Sequence, residues 1–152
     1  VTVTLSAEVP SELHDIVRDF AQTPEEQRLE LLLEFSDEIP DLPQRYADNP
    51  EALEPVPECQ SPIFFIAEVD GTGEDARVSL FFSAPAEAPT TRGFAGILAE
   101  GLDGATARQV QAVPEDFALQ LSLTSLVSPL RLNGMTGMLK RVQRQVKEKA
   151  QL

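Results

Sequence analysis

One cysteine and one histidine are all that 152 residues contain of those two types. A single cysteine excludes an internal disulfide framework, and marks either an intracellular protein or a thiol kept free for chemistry. Cys59 and His14, far apart in the sequence, supply too few ligands for a zinc site. His14 is accordingly read as a helix-surface residue and not as a base for Cys59. No apolar run approaches the ~20 residues that span a bilayer. The opening VTVTLSAEVP lacks the basic-then-apolar order of a secretory signal, so the expected location is cytoplasmic. Basic residues are scarce, with 12 Lys and Arg against 25 Asp and Glu and a net charge of −13. Such a surface repels phosphate backbones and argues against nucleic acid as a partner. A glycine-rich phosphate loop is also missing, since DGTGED at 70–75 is a turn flanked by acids.

The charge that is present is unevenly placed: −12 over residues 1–58, −5 over 59–138 and +4 over 139–152. The acidic body reads first as a solubility surface, and a partner steered to it would be basic. The basic end KRVQRQVKEK suits the C-terminus of a helix, where the macrodipole favours cations. The length fits one domain over 1–152, with 1–10 as a loose N-terminal segment.

Hydrophobic spacing organises the rest. Leu13, Ile16, Val17 and Phe20 lie at i, i+3, i+4 and i+7, a helical stripe with Ser11 available as N-cap. Thr23, Pro24 and Glu26 read as N-cap, first position and capping-box partner of a second helix running to about Glu38. Residues 40–58 contain five prolines, which predicts an extended loop without regular structure. SPIFFIAEV and ARVSLFFSA, joined by the DGTGED turn, predict an antiparallel hairpin. A helix follows Pro89 and ends at Gly101, shorter helical pieces break at Pro114, and Ser128 with Pro129 opens a long terminal helix. Met135, Met138, Leu139, Val142 and Val146 form its core-facing stripe. The order αα–ββ–ααα indicates an α+β fold in which a small antiparallel sheet is covered by helices.

Cys59 is the one residue whose chemistry stands out. It sits in EPVPECQSPIFFIAEV, where a proline-rich approach meets the first strand. A thiol presented from a loop anchored on a strand can reach a partner's sulfur, which one in mid-strand cannot. Carboxylates are too numerous on this surface for any pair to single itself out.

ECQSPIFFIAEV resembles the Cys-Gln-Ser motif and following strand of the SufE/CsdE sulfur acceptors. SLVSPLRLNGMTGMLKRV is similar to that family's Ser/Thr-Pro-x-Arg-x-x-Gly-Leu/Met segment, and SAPAEAPTTRGFAGIL to its acidic turn, basic residue and apolar helix. The likeness covers nearly all of residues 10–150, in the family's order. It implies a SufE/IscU-like fold and a persulfide carried on Cys59, taken from a cysteine desulfurase of the SufS/CsdA kind for iron–sulfur cluster assembly. It also implies a stimulated desulfurase and a cluster scaffold as a further partner. The pyridoxal phosphate of the reaction belongs to the desulfurase, and no cofactor is expected here. Gln60 and Ser61 fall in the loop presenting the thiol, Glu87 falls where the family has an Asp, and Arg131 falls on the family's arginine beside the cysteine loop. One departure is Glu58, where the family often has Gly. A carboxylate beside the thiol disfavours the thiolate, so a compensating cation is expected, Arg131 first and Arg92 second. Two other readings of Cys59 are a one-Cys thiol peroxidase and a structural thiol in a non-catalytic interaction module.

Overall fold

The computed structural model describes residues 5–152. Leu13, Ile16, Val17 and Phe20 are buried along helix α1 (Ser11–Gln22), as their spacing predicts. Its entry differs from expectation: Pro10 occupies the N-cap position, Ser11 is already helical, and the Ser11 hydroxyl turns to the Glu12 carboxylate. Helix α2 (Glu25–Asp37) likewise starts after Pro24 without a capping box. Thr23 instead donates its hydroxyl to the Asp19 carbonyl, closing the end of α1. In both places proline's fixed φ leads the chain into the helix, and the hydroxyl satisfies a different group. Of the segment 1–10, residues 1–4 lie outside the described residues, and Val9 is buried in the core.

The proline-rich stretch is more ordered than its composition predicts. It holds a short helix α3 (Gln44–Ala47), a 3-10 turn at Pro50–Ala52, a strand β1 (Glu54–Pro55) and a second 3-10 turn at Pro57–Cys59. The expected hairpin is present as β2 (Phe64–Asp70) and β3 (Arg77–Ser83), so the antiparallel sheet has three strands in the order β1-β2-β3. Two residues are enough for β1 because β2 supplies the template, pairing Phe65 with Glu54 and Phe64 with Pro55. The pairing register of the hairpin runs from Phe64 opposite Ser83 to Asp70 opposite Arg77.

One sheet face carries Phe65, Ala67, Val78, Leu80 and Phe82, all buried. Helices α4 (Pro89–Gly101) and α6 (Pro129–Ala150) cover it, with the short α5 (Ala107–Gln111) and a 3-10 turn at Phe117–Leu121 between them in sequence. On the opposite face Tyr46 packs on Phe81 with ring centroids 5.7 Å apart, and the Arg45 guanidinium lies over both rings. Ser128 caps α6 by accepting from the Arg131 amide, as expected.

Because β1 is so short, the outer edge of β2 beyond it is uncovered at Ala67. Side chains of α6 complete it: Gln145 Oε1 accepts from the Ala67 amide at 2.6 Å, and Lys149 Nζ donates to the Ala67 carbonyl at 2.5 Å. The last helix thus substitutes for a missing strand. Among the described residues no helix is long and apolar enough to cross a membrane.

Helix α2 buries little of its own surface, chiefly Leu32 and Ser36. It is held by backbone approach to α4, where Gly93 and Gly96 face it. A Cβ at Gly93 would lie 2.6 Å from the Leu32 carbonyl oxygen, and one at Gly96 would overlap the Phe35 carbonyl. Gly96→Ala is therefore expected to destabilise the protein by about 1–3 kcal/mol, the range for overpacking against backbone that cannot move aside. Urea unfolding at constant m-value checks this, and an unchanged midpoint would show that α2 can shift freely.

Candidate functional site around Cys59

The turn carrying Cys59 is closed at its base by a hydrogen bond from the Val56 amide to the Ile63 carbonyl, 2.9 Å. Within it the Cys59 and Gln60 amides donate to the carbonyls of Val56 and Pro57 at 3.1 and 3.0 Å, which makes the 3-10 turn. Pro57 suits its first position, having a fixed φ and no amide to satisfy. The chain then leaves through Gln60, whose φ of 55° is left-handed. Such a conformation costs a residue with a side chain roughly 1–2 kcal/mol. Glu58 lies within the 3-10 turn and is not among the positive-φ residues. The conformational freedom of the family's glycine is thus not needed at that position, and the left-handed turn falls two residues later.

Helix α6 comes against this turn through its glycines. A Cβ at Gly134 would lie 3.0 Å from Cys59 Cα and 3.3 Å from its Sγ, and one at Gly137 would lie 2.8 Å from Glu58 Cγ. Cys59 is half-buried, packed against the core, and its thiol donates to the Gly134 carbonyl at 3.5 Å. Burial first, and the Glu58 carboxylate second, push the thiol from an ordinary 9.0 up to about 11.

The cation built into this arrangement is Arg141, and it faces Glu58. Arg141 Nε donates to both Glu58 carboxylate oxygens, at 2.9 and 3.0 Å, while Nη1 donates to Glu54 at 3.1 Å. Glu54 also receives Arg144 and the Gln145 amide. Burial alone would raise the Glu58 carboxyl, but the Arg141 hydrogen bonds outweigh it and hold it below the usual carboxylate range.

The other sequence-derived candidates divide. Gln60 is exposed and Ser61 half-buried on the departing arm of the turn. Arg131, expected as the compensating cation, is exposed and donates to the Thr90 hydroxyl at 3.3 Å, next to the turn that carries exposed Glu87. It lies one helical turn from Gly134 but makes no hydrogen bond to the cysteine loop among the described residues. Arg92 points elsewhere, donating to the carbonyls of Ser36 and Ala84 at 2.9 and 2.5 Å, so it ties α2 and the end of β3 to α4. Sequence reasoning missed Arg141, Glu54, Gly134 and Gly137. The available signal was the spacing of Gly134, Gly137 and Arg141 at i, i+3 and i+7, one stripe of a helix bearing two interior glycines.

A family model for SufE, described as the Fe-S metabolism associated domain, matches residues 14–146. The chain is 53% identical over 146 residues to an uncharacterized SufE-like protein of Mycobacterium tuberculosis, covering 96% of this chain and 99% of that one. It is 28% identical over 138 residues to SufE-like protein 1, chloroplastic/mitochondrial, of Arabidopsis thaliana, covering 90% of this chain and 35% of that protein. Its structure resembles the solution structure of a hypothetical protein from Thermus thermophilus, with a TM-score of 0.80 at 38% identity over 95% of this chain and 99% of that one.

With the thiol protonated and half-buried, iodoacetamide labelling of the native protein is expected to rise with pH around a midpoint displaced from 9.0 toward about 11. The urea-unfolded chain should titrate at the ordinary value. Coincident curves for native and unfolded protein would contradict the described burial of Cys59.

Proposed function

The chain belongs to the SufE family, and on that premise we propose that it is a sulfur acceptor. It takes sulfane sulfur from the persulfide of a cysteine desulfurase onto Cys59 and passes it on for iron–sulfur cluster assembly. The observation that supports this reading most directly is the setting of Cys59: the chain's single thiol, on a turn pinched at its base, half-buried against α6. A carrier of one sulfur atom requires one such thiol and no metal or organic group of its own. Pyridoxal phosphate belongs to the desulfurase, which generates the persulfide.

The transfer is a thiol–disulfide-type exchange. The Cys59 thiolate attacks the terminal sulfur of the partner's persulfide, a new S–S bond forms at Cys59, and the partner's S–S bond breaks. The electron pair leaves with the partner's cysteine as its thiolate, and no outside oxidant is consumed. Removing the sulfur frees the desulfurase for another cycle, which stimulates its turnover. Gln60 and Ser61 accompany the thiol as the turn moves outward, and exposed Glu87 and Arg131 flank the docking face. The raised thiol pKa runs against a peroxidase, whose cysteine needs to be a thiolate at rest. A reducing, cytoplasmic setting accords with a lone free thiol.

Incubation with a cysteine desulfurase and free cysteine is expected to add the mass of sulfur to Cys59, detected by mass spectrometry of the intact chain and its peptides. Cys59→Ser should take up none and should lose the stimulation of desulfurase turnover. Sulfur uptake surviving in the serine variant would refute the assignment.

A further inference from the structure

Glu58 and Arg141 stand where a releasable contact would control the thiol. We propose that their ion pair is a latch that holds the Cys59 turn against α6, and that it opens when a cationic side chain of the docking protein takes over the Glu58 carboxylate. The identity of that docking protein rests on the sulfur-acceptor reading; the latch itself does not.

The two acids on Arg141 are unequal. Glu54 belongs to β1, is registered opposite Phe65, and holds Arg144 and Gln145 as well as Arg141. Glu58 belongs to the turn, and its carboxylate has Arg141 as its only side-chain partner among the described residues. When Glu58 departs, Arg141 keeps Glu54 and no half-buried charge on the body is stranded. The departing carboxylate is solvated in water but loses that water in a docked interface, so the exchange favours a partner that offers a cation there.

Other contacts of the turn are suited to release. The thiol's bond to the Gly134 carbonyl, 3.5 Å, is weak because sulfur is a poor donor. Gln60 is held left-handed in the closed turn, a conformation that opening relieves. The aliphatic part of Glu58 fills the space left by the absent side chain of Gly137, so its position fixes that of the adjacent Cys59. The strongest directional contact on the closed turn is thus the charge-assisted bond from Arg141 Nε, whose one N–H is shared between the two Glu58 oxygens.

Arg141→Gln in the full chain separates a latch from a mere neighbouring charge. Labelling of Cys59 is followed through the titration of the thiol, so that the plateau rate reports access and the midpoint reports acidity. A latch predicts a plateau rate about tenfold higher, the scale of one lost charge-assisted hydrogen bond. An arginine acting only through its charge predicts an unchanged plateau and slower labelling at neutral pH, and that result overturns the latch. Glu58→Gln, which leaves Arg141 on Glu54, should raise the plateau similarly. The double variant should exceed neither single one, because there is one contact to lose. Additive plateau increases would overturn the proposal as well.

Affinity for a desulfurase tests the exchange. Arg141→Gln frees Glu58 and should bind at least as tightly as the parent chain, whereas Glu58→Gln should bind more weakly. Equal effects of the two variants would refute the exchange. A parent chain that binds no desulfurase sinks the acceptor reading and the exchange together, while the latch stands or falls on labelling alone.

Discussion

The approach of α6 to the Cys59 turn is the contact from which the rest of the site follows. Interior glycines cost a helix about 1 kcal/mol each relative to alanine. Gly134 and Gly137 return that cost by letting the turn lie on the helix backbone, with Cys59 Cα 3.0 Å from where a Cβ at Gly134 would be. Two turns further on, the same helix supplies Gln145 and Lys149 to the open edge of β2. Between them Arg141 and Arg144 grip Glu54, the first residue of β1. One helix therefore sets the edge of the sheet, the short strand and the cysteine turn in a single frame.

That frame explains which parts of the fold were legible in the sequence. α1, the hairpin, α4 and α6 each repeat an apolar pattern over several residues, and periodicity locates them. β1 has two residues and no pattern; it exists because β2 and α6 provide partners on both sides. The caps of α1 and α2 differ from the expected ones for a local reason: Ser11 and Thr23 have the chemistry of N-cap acceptors, but the prolines beside them already set the entry geometry.

At the site, Cys59 was legible because it is unique, and its turn because prolines precede it. Arg141 was not. In the sequence it is one of several cations at the end of a helix, where the macrodipole accounts for them without any specific partner. Arg131 looked stronger because the family resemblance names it, yet its guanidinium is turned to Thr90. The residue that compensates Glu58 had to come from the same helix two to three turns later, a relation fixed by packing and not by sequence distance.

Glu58 connects the departure from the family pattern to the behaviour of the thiol. A glycine there would leave the turn without a carboxylate for Arg141 and without the side chain that covers Gly137. With glutamate, the turn gains an anchor on α6 and the thiol gains a neighbouring negative charge. A thiol pushed up to about 11 by burial and by Glu58 stays protonated at neutral pH. The resting chain is thus poorly reactive toward small electrophiles and oxidants, while the proposed transfer needs the thiolate in the open. Both demands are met when leaving α6 and becoming acidic are the same event: moving into water removes the larger cause of the raised pKa, and a partner's cation facing Glu58 offsets the smaller one. In the proposed transfer, reactivity then depends on docking, which restricts the chemistry of a half-buried cysteine to the protein that can draw it out.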